Sequence, residues 1–283
     1  MKDSATVLHL TVRDLLLEGA GGLSCADSAR LDAELLLAWV LGRTRSFLLI
    51  HPEQLVDGAS AGRYRHLVAQ RRAGVPVAYI LGQREFWSLP LVVTPAVLVP
   101  RPETELVVER CLALLGEDAI EMVDLGCGSG AIALALATER RRWRVLATDV
   151  SAEALQVARR NAGQLNLANV EFLHGDWYTP LAARRFALIV SNPPYIAGDD
   201  AALAALQHEP QLALTPGPSG LESLERIIAQ APMQLLPAGW LVLEHGADQA
   251  AAVAKRLVNA GFTHVRCHTD LAGHDRVTEA QRP

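Results

Sequence analysis

Up to about residue 75 the apolar positions recur at helical spacing. "SARLDAELLLAWVLG" (28–42) has a serine start, then Leu31, Leu35 and Trp39 on one helical row, then a glycine stop. "TVRDLLLEGA" (11–20) and "SAGRYRHLVAQRRAG" (60–74) give two more helices, so residues 1–75 read as a small helical bundle. "YILGQREFWSLPLVVT" (79–94) breaks that rhythm. Its β-branched and aromatic residues between Gly and Pro predict a hairpin, placed as a linker over 76–95. "PAVLVPRPETE" (95–105) is a proline-punctuated loop entering a helix at about 104–115, with Glu103 and Glu105 suited to a helix N-terminus. From residue 121 short apolar runs alternate with amphipathic segments. Strands are predicted at 121–125, 144–149, 170–174, 186–190, 240–244, 263–269 and 276–280, and helices at 131–140, 151–164 and 220–231. That alternation predicts an α/β domain over 96–283 built on a doubly wound, seven-stranded, mostly parallel sheet. No long helix separates the last two strands, so the final one is expected to run antiparallel.

Composition changes this picture little. The chain has 283 residues, half of them hydrophobic, which suits one large domain or two modest ones. No apolar run approaches the ~18 residues of a membrane span, and "MKDSATVLHLTVRD" lacks the apolar core and cleavage site of a secretory signal. Cys25, Cys111, Cys127 and Cys267 form no C-x-x-C pair. Neither a disulfide framework nor a zinc site is expected, and a cytoplasmic location fits. A formal charge of −5 disfavours a chain devoted to gripping a phosphate backbone. Arg63, Arg65, Arg71 and Arg72 colour one side of the third helix, as a solvated face or as a docking surface for an acidic partner.

Candidate chemistry sharpens the picture. "MVDLGCGSGAIALALA" (122–137) is a strand, a tight glycine turn and a helix. Gly126, Gly128 and Gly130 let backbone approach a ligand closely, and the helix N-terminus offers free N–H groups. Asp149, about 20 residues on at the end of the next strand, suits an acid that binds ribose hydroxyls. Cys127 and Ser129 fill the variable loop positions, Cys127 as a small filler rather than a nucleophile. "GDWYTP" places Asp176 and Trp177 after the third strand, at the same carboxyl edge, where Trp177 suits stacking on an adenine. These features fit either NAD(H) or S-adenosyl-L-methionine (AdoMet).

"SNPPYI" (191–196) follows the fourth strand at that edge. A planar –NH₂ group, as in a glutamine amide or an adenine exocyclic amine, is a poor nucleophile because its lone pair is delocalised. Two acceptors that take both N–H bonds can aim it at an electrophilic carbon. The Asn192 side-chain oxygen supplies one and the Pro193 carbonyl the other, held by the rings of Pro193 and Pro194. Tyr195 is placed to stack on the flat group. Both bonds strengthen as positive charge builds on nitrogen, which is what catalysis requires. Hydride transfer has no use for this arrangement, so the NAD(H) reading recedes.

The same segments carry a resemblance. "DLGCGSGAIALALA", "ATDVS" and "NPPYI" resemble the AdoMet-dependent methyltransferases that act on planar amino groups. "YILGQREFWSLPLVVTPAVLVPRPETE", "VARRNA", "GDWY", "SNPPYI", "LEHG" and "DLAGHDRV" resemble, more narrowly, the HemK/PrmC family of protein-(glutamine-N5) methyltransferases, over about residues 10–281. "VPRPETE" (99–105) is the most specific part. The resemblance implies a class I AdoMet-dependent, Rossmann-like methyltransferase domain and a helical domain that helps hold the protein substrate. That substrate would be the glutamine of the Gly-Gly-Gln motif in class 1 peptide-chain release factors, methylated by a monomer. It implies an AdoMet site at Gly126, Cys127, Gly128, Ser129, Gly130, Asp149, Asp176, Trp177 and Asn192. It implies a glutamine site at Asn192, Pro193, Pro194 and Tyr195, with Asn192, Pro193 and Tyr195 catalytic. Methylation of a ribosomal-protein glutamine, or of adenine N6 in DNA or RNA with "ERRRWR" (139–144) touching phosphate, are the alternatives. A non-catalytic AdoMet-sensing protein is a third. This chain departs from the family pattern at "TPGPSGL" (215–221), where Ser219 replaces an expected acid beside Pro216 and Pro218, and at His245.

Overall fold

The computed structural model describes residues 10–23 and 28–283; the opening nine residues and Cys25 lie outside them. The chain divides after Gly82 into two compact units.

The first unit is helical. β1 (Leu10–Thr11) pairs antiparallel with β2 (Leu55–Val56) and leads into α1 (Val12–Gly22). Thr11 and Asp14 close a reciprocal capping box at that helix start. α2 (Ala29–Leu41) stops at Gly42, whose φ of +60° a side chain would resist. α3 (Arg45–Ile50), α4 (Gly58–Arg72) and α5 (Val77–Leu81) follow. Thr44 and Asp57 accept from main-chain N–H groups at the starts of α3 and α4. Val12, Leu15, Leu36, Leu37, Leu48 and Tyr64 form the core. The row Leu31, Leu35, Trp39 is not the inward face: Leu31 and Trp39 are exposed while Leu36 and Leu37 are buried. The buried side of α2 also carries Asp32 and Glu34, so apolar spacing alone could not choose it. Arg65 pairs with Glu18 at 2.6 Å and Arg71 with buried Asp32 at 2.7 Å, so part of the basic row is neutralised within the unit.

The segment expected as a linker over 76–95 splits. Its first residues are α5, and the hairpin of β3 (Gln83–Phe86) and β4 (Leu89–Val92) belongs to the second unit. The reason is local: Phe86 and Leu91 are buried in that unit's core, and Asn161 bonds both main-chain groups of Val92.

The second unit continues with α6 (Glu105–Leu114), β5 (Glu121–Leu125), α7 (Ala131–Glu139), β6 (Arg144–Asp149), α8 (Ala152–Gln164), β7 (Val170–His174) and β8 (Phe186–Ser191). A short α9 (Ala202–Ala205) precedes α10 (Glu222–Gln234), β9 (Leu235–Glu244), α11 (Ala250–Asn259), β10 (Thr263–Thr269) and β11 (Asp275–Gln281). Among the described residues these strands form a seven-stranded sheet ordered β10-β11-β9-β8-β5-β6-β7. β11 runs antiparallel to both neighbours and the remaining pairs are parallel. α11 and the early start of β9 were not foreseen. Alternate strand residues serve opposite faces: Met122, Val145 and Leu188 pack on α6–α8, and Val123, Leu146 and Ile189 on α10 and α11. Chain order reverses between β5 and β8, the crevice where doubly wound sheets bind ligands.

Candidate active site

β5 and β8 lie side by side, with Leu125 opposite Ser191, so the glycine loop and Asn192 leave the sheet together. The Ser191 hydroxyl donates to the Leu125 carbonyl at 2.6 Å, tying the two exits. A cavity of about 460 Å³ opens there. Its lining includes Gly126, Cys127, Gly128, Ser129, Asp149, Asp176, Trp177, Asn192 and Pro194; Gly130, Pro193 and Tyr195 are not part of it.

The loop side is held through main chain. Gly126 and Cys127 N–H groups both donate to the Thr148 carbonyl, at 2.8 and 2.9 Å. Gly126 has φ +72°, and a Cβ there would stand 3.1 Å from the Trp177 ring. Asp149 accepts from Gly128 N–H (2.8 Å) and Ser151 N–H (2.8 Å), bracing the loop against the start of α8. Burial raises the Asp149 carboxyl, and those two N–H groups pull it back. Cys127 is buried and its thiol is pushed well up by burial, which fits a filler. Gly130 serves packing: a Cβ there would press on Leu134 and Ala158. The Ser129 carbonyl accepts from Asn161 (2.9 Å), so one carboxamide joins the loop to the hairpin. Asp176 lines the cavity while paired with Arg226 at 2.5 Å.

The Asn192 side is held through side chains. Asn192 Nδ2 donates to Thr104 Oγ1 at 3.1 Å. Tyr195 donates its hydroxyl to Glu244 Oε1 at 3.2 Å, and its ring packs on the apolar cluster under the sheet. A half-buried phenol needs such a partner, and Tyr195 stands behind the motif rather than on the cavity wall. Gln249 Nε2 holds the exit of the motif, donating to the Tyr195 carbonyl at 2.9 Å. The "VPRPETE" segment closes another wall. Glu209, buried, accepts from Val99 N–H (3.0 Å) and pairs with Arg101, which faces the cavity.

Several of these residues had no assigned role in the sequence. Asp124 is buried on β5, and its Oδ1 has no hydrogen-bond partner among the described residues. Burial pushes its carboxyl up to about 7, with the Asp149 charge adding to that and the Ala133 N–H opposing it. Glu244 is likewise raised to about 7, chiefly by burial. The available signal was an acid inside an apolar strand, "MVDL" and "LVLE". The departures are structural here: Ser219 receives Leu221 N–H at the entry to α10, and His245 is buried against Thr278 at 2.8 Å. Arg144 of "ERRRWR" is bound to Glu121 (3.0 Å) and Glu171 (3.2 Å) rather than left for phosphate.

Sheet order, glycine loop and switch-point cavity define a Rossmann-like methyltransferase. A methyltransferase structure from Pyrococcus furiosus shares the fold, with TM-score 0.55 and 20% identity over 75% of this chain and 98% of that one. Residues 14–82 match the family model "PrmC N-terminal domain" and residues 104–269 the model "Methyltransferase small domain". The release factor glutamine methyltransferase of Pseudomonas aeruginosa is 50% identical over 90% of this chain and 94% of its own length. That of Vibrio cholerae is 46% identical over 91% of each. The chain belongs to the family of release factor glutamine methyltransferases.

Proposed function

We propose that the chain transfers a methyl group from AdoMet to the side-chain amide nitrogen of the Gly-Gly-Gln glutamine in class 1 release factors. One observation carries the site assignment. Asn192 shares a single cavity with the Gly126–Ser129 loop and Asp149, one residue beyond a strand in register with the loop's own.

The cavity suits AdoMet in size and chemistry. Its volume falls in the usual range for small-ligand sites. Gly126, Gly128 and Gly130 all have positive φ, and a Cβ at Gly126 would crowd Trp177, which lines the cavity. Asp124 Oδ1 is a buried acceptor with nothing to accept, a natural partner for a cationic donor. Asp149 keeps unused acceptor capacity for hydroxyls, and Trp177 gives a flat wall. When bound, AdoMet supplies an electrophilic sulfonium methyl.

The chain's own groups then deal with the amide. Asn192 Oδ1 accepts one N–H of the target nitrogen and the Pro193 carbonyl the other, which turns the nitrogen's electron density toward the cavity. Their grip tightens as the nitrogen becomes positive, so the transition state is favoured over the bound amide. Neither acceptor titrates, and the surplus proton leaves after transfer. The helical unit is assigned to holding the protein substrate, supported by its match to the "PrmC N-terminal domain" model and by exposed Trp39 and Ile50. Among the described residues no helix is long and apolar enough to cross a membrane, and a translation factor as substrate implies a cytoplasmic setting. The test is incubation of the protein and a class 1 release factor with methyl-labelled AdoMet, followed by peptide mass analysis. Label should appear on the Gly-Gly-Gln glutamine and vanish when that glutamine is replaced by alanine; label elsewhere, or none, overturns the proposal.

A further inference from the structure

The loop that follows β7 is tied to α10 at two neighbouring points. Leu224, Ile227 and Ile228 of α10 are buried against the sheet, and Tyr178, also buried, donates its hydroxyl to the Ile227 carbonyl at 3.0 Å. One residue earlier on the helix, Arg226 Nη2 donates to Asp176 Oδ2 at 2.5 Å. Between Asp176 and Tyr178 stands Trp177, at φ +48°. A left-handed main chain is costly for a bulky residue and persists only where the surroundings impose it. Thr179 adds to that constraint, since its N–H (3.0 Å) and its hydroxyl (2.8 Å) both donate to the Asp176 carbonyl. The turn thereby sets Asp176, Trp177 and Arg226 together on the cavity lining.

The Arg226–Asp176 pair adds little to folding. Its side chains stay 50% and 41% exposed, and exposed ion pairs contribute little stability. Its effect is geometric. Among the described residues Arg226 is the one partner of the Asp176 carboxylate, and with Oδ2 taken, Oδ1 is left to accept. A carboxylate only accepts. Beside an aromatic ring, a fixed acceptor suits a flat heterocycle that carries an exocyclic –NH₂. It opposes one that carries a carbonyl at the same place, where two acceptors would meet. We propose that Arg226 is a positioning residue for the nucleobase end of the cofactor. By holding the Asp176 carboxylate, it makes the cavity select a 6-amino purine over a 6-oxo purine. The inference rests on the reading of the cavity as the AdoMet site and is independent of the methyl acceptor.

The test is calorimetric binding of S-adenosylhomocysteine and S-inosylhomocysteine to the full chain, with no release factor present. The two ligands differ only in carrying a 6-amino or a 6-oxo purine. The wild type should favour the adenosyl ligand by about 10–100-fold, the usual worth of a hydrogen bond to a charged group. Arg226→Met keeps the aliphatic stem and removes the guanidinium. It should weaken the adenosyl ligand by roughly tenfold and the inosyl ligand little, so the preference collapses. Arg226→Lys, which keeps a charged donor, should restore most of it. Asp176→Asn offers the purine either an acceptor or a donor and should bring the two ligands level. A preference retained in Arg226→Met overturns the proposal, as does a loss of affinity shared equally by both ligands, which is what a merely structural role would give. A wild type that binds both ligands alike overturns the proposed selection and leaves the cofactor site standing. A wild type that binds neither overturns the cofactor reading and the proposal with it.

Discussion

On the glycine-loop side of the cavity the main chain does the holding. Gly126, Cys127 and Gly128 N–H groups are all engaged, by the Thr148 carbonyl or by Asp149. On the Asn192 side the bonds run between side chains far apart in sequence: Asn192 to Thr104, Tyr195 to Glu244, Arg101 to Glu209. A main-chain cradle tolerates change in side chains that do not brace it and binds whatever fits its shape. A side-chain network fails when one member changes, and on the proposed function this one faces the target amide. Cofactor binding and amide recognition should therefore separate under mutation.

The largest separation is expected at Asn192. On the proposed mechanism, Asn192→Ala removes an acceptor whose bond strengthens as methyl transfer proceeds. By the usual cost of deleting one such partner, kcat should fall by roughly 2.7–4 kcal/mol, about 10²–10³-fold. Single-turnover rates should show that loss while calorimetric AdoMet affinity stays within a small factor. Equal losses in both would place Asn192 on the cofactor side of the divide.

Asp149→Ala should do the reverse, with a smaller effect. It frees two N–H groups, at Gly128 and Ser151, from a partly buried carboxylate. Hydrogen bonds to charged groups are worth about 1.5–3 kcal/mol, so AdoMet Kd should rise roughly 10–100-fold. Saturating AdoMet should restore most of kcat. A kcat that stays low at saturation would mean that the brace also shapes the amide side.

The same contrast explains what could be read from the sequence. Glycines, a following acid and alternating apolar runs are local signals, so sheet, loop and Asp149 were legible. Asn192 was legible because two prolines are unusual at a strand exit. Thr104, Glu244 and Asn161 were not, since their meaning lies in partners distant along the chain: Asn161 joins Val92 to Ser129. The ring of Tyr195 suggests stacking on the flat group, and only the fold shows its hydroxyl committed to Glu244. α11 escaped because "AAVAKRLVN" carries few large apolar residues, with Val253 and Leu257 buried. The spacing shows α2 as a helix but not which side is buried, because Asp32 and Glu34 lie on that side.

Asp124 sits on the loop side yet behaves as a buried side chain, and it offers the mildest test. Burial raises its carboxyl from the ordinary 3.8 to about 7. Between about pH 4 and about pH 7 the folded protein keeps a proton that the unfolded chain has released. Unfolding then releases protons, so this group's contribution falls as pH climbs through that window and levels off above it. Asp124→Asn retains an oxygen for the Ala133 N–H and has nothing to titrate. Glu244, raised in the same direction, is present in both proteins and cancels. Melting temperatures measured from about pH 5 to about pH 8 should therefore show the wild type losing ground to Asp124→Asn as pH rises. In a chain of this size each kcal/mol corresponds to about 2–4 °C, and a divergence of a few degrees is expected. Saturating AdoMet should shrink it, because a cation beside Asp124 favours the charged carboxylate. Parallel curves without ligand would show that Asp124 is already ionised and paired, and would remove the main chemical argument for a cationic ligand group at that end of the cavity.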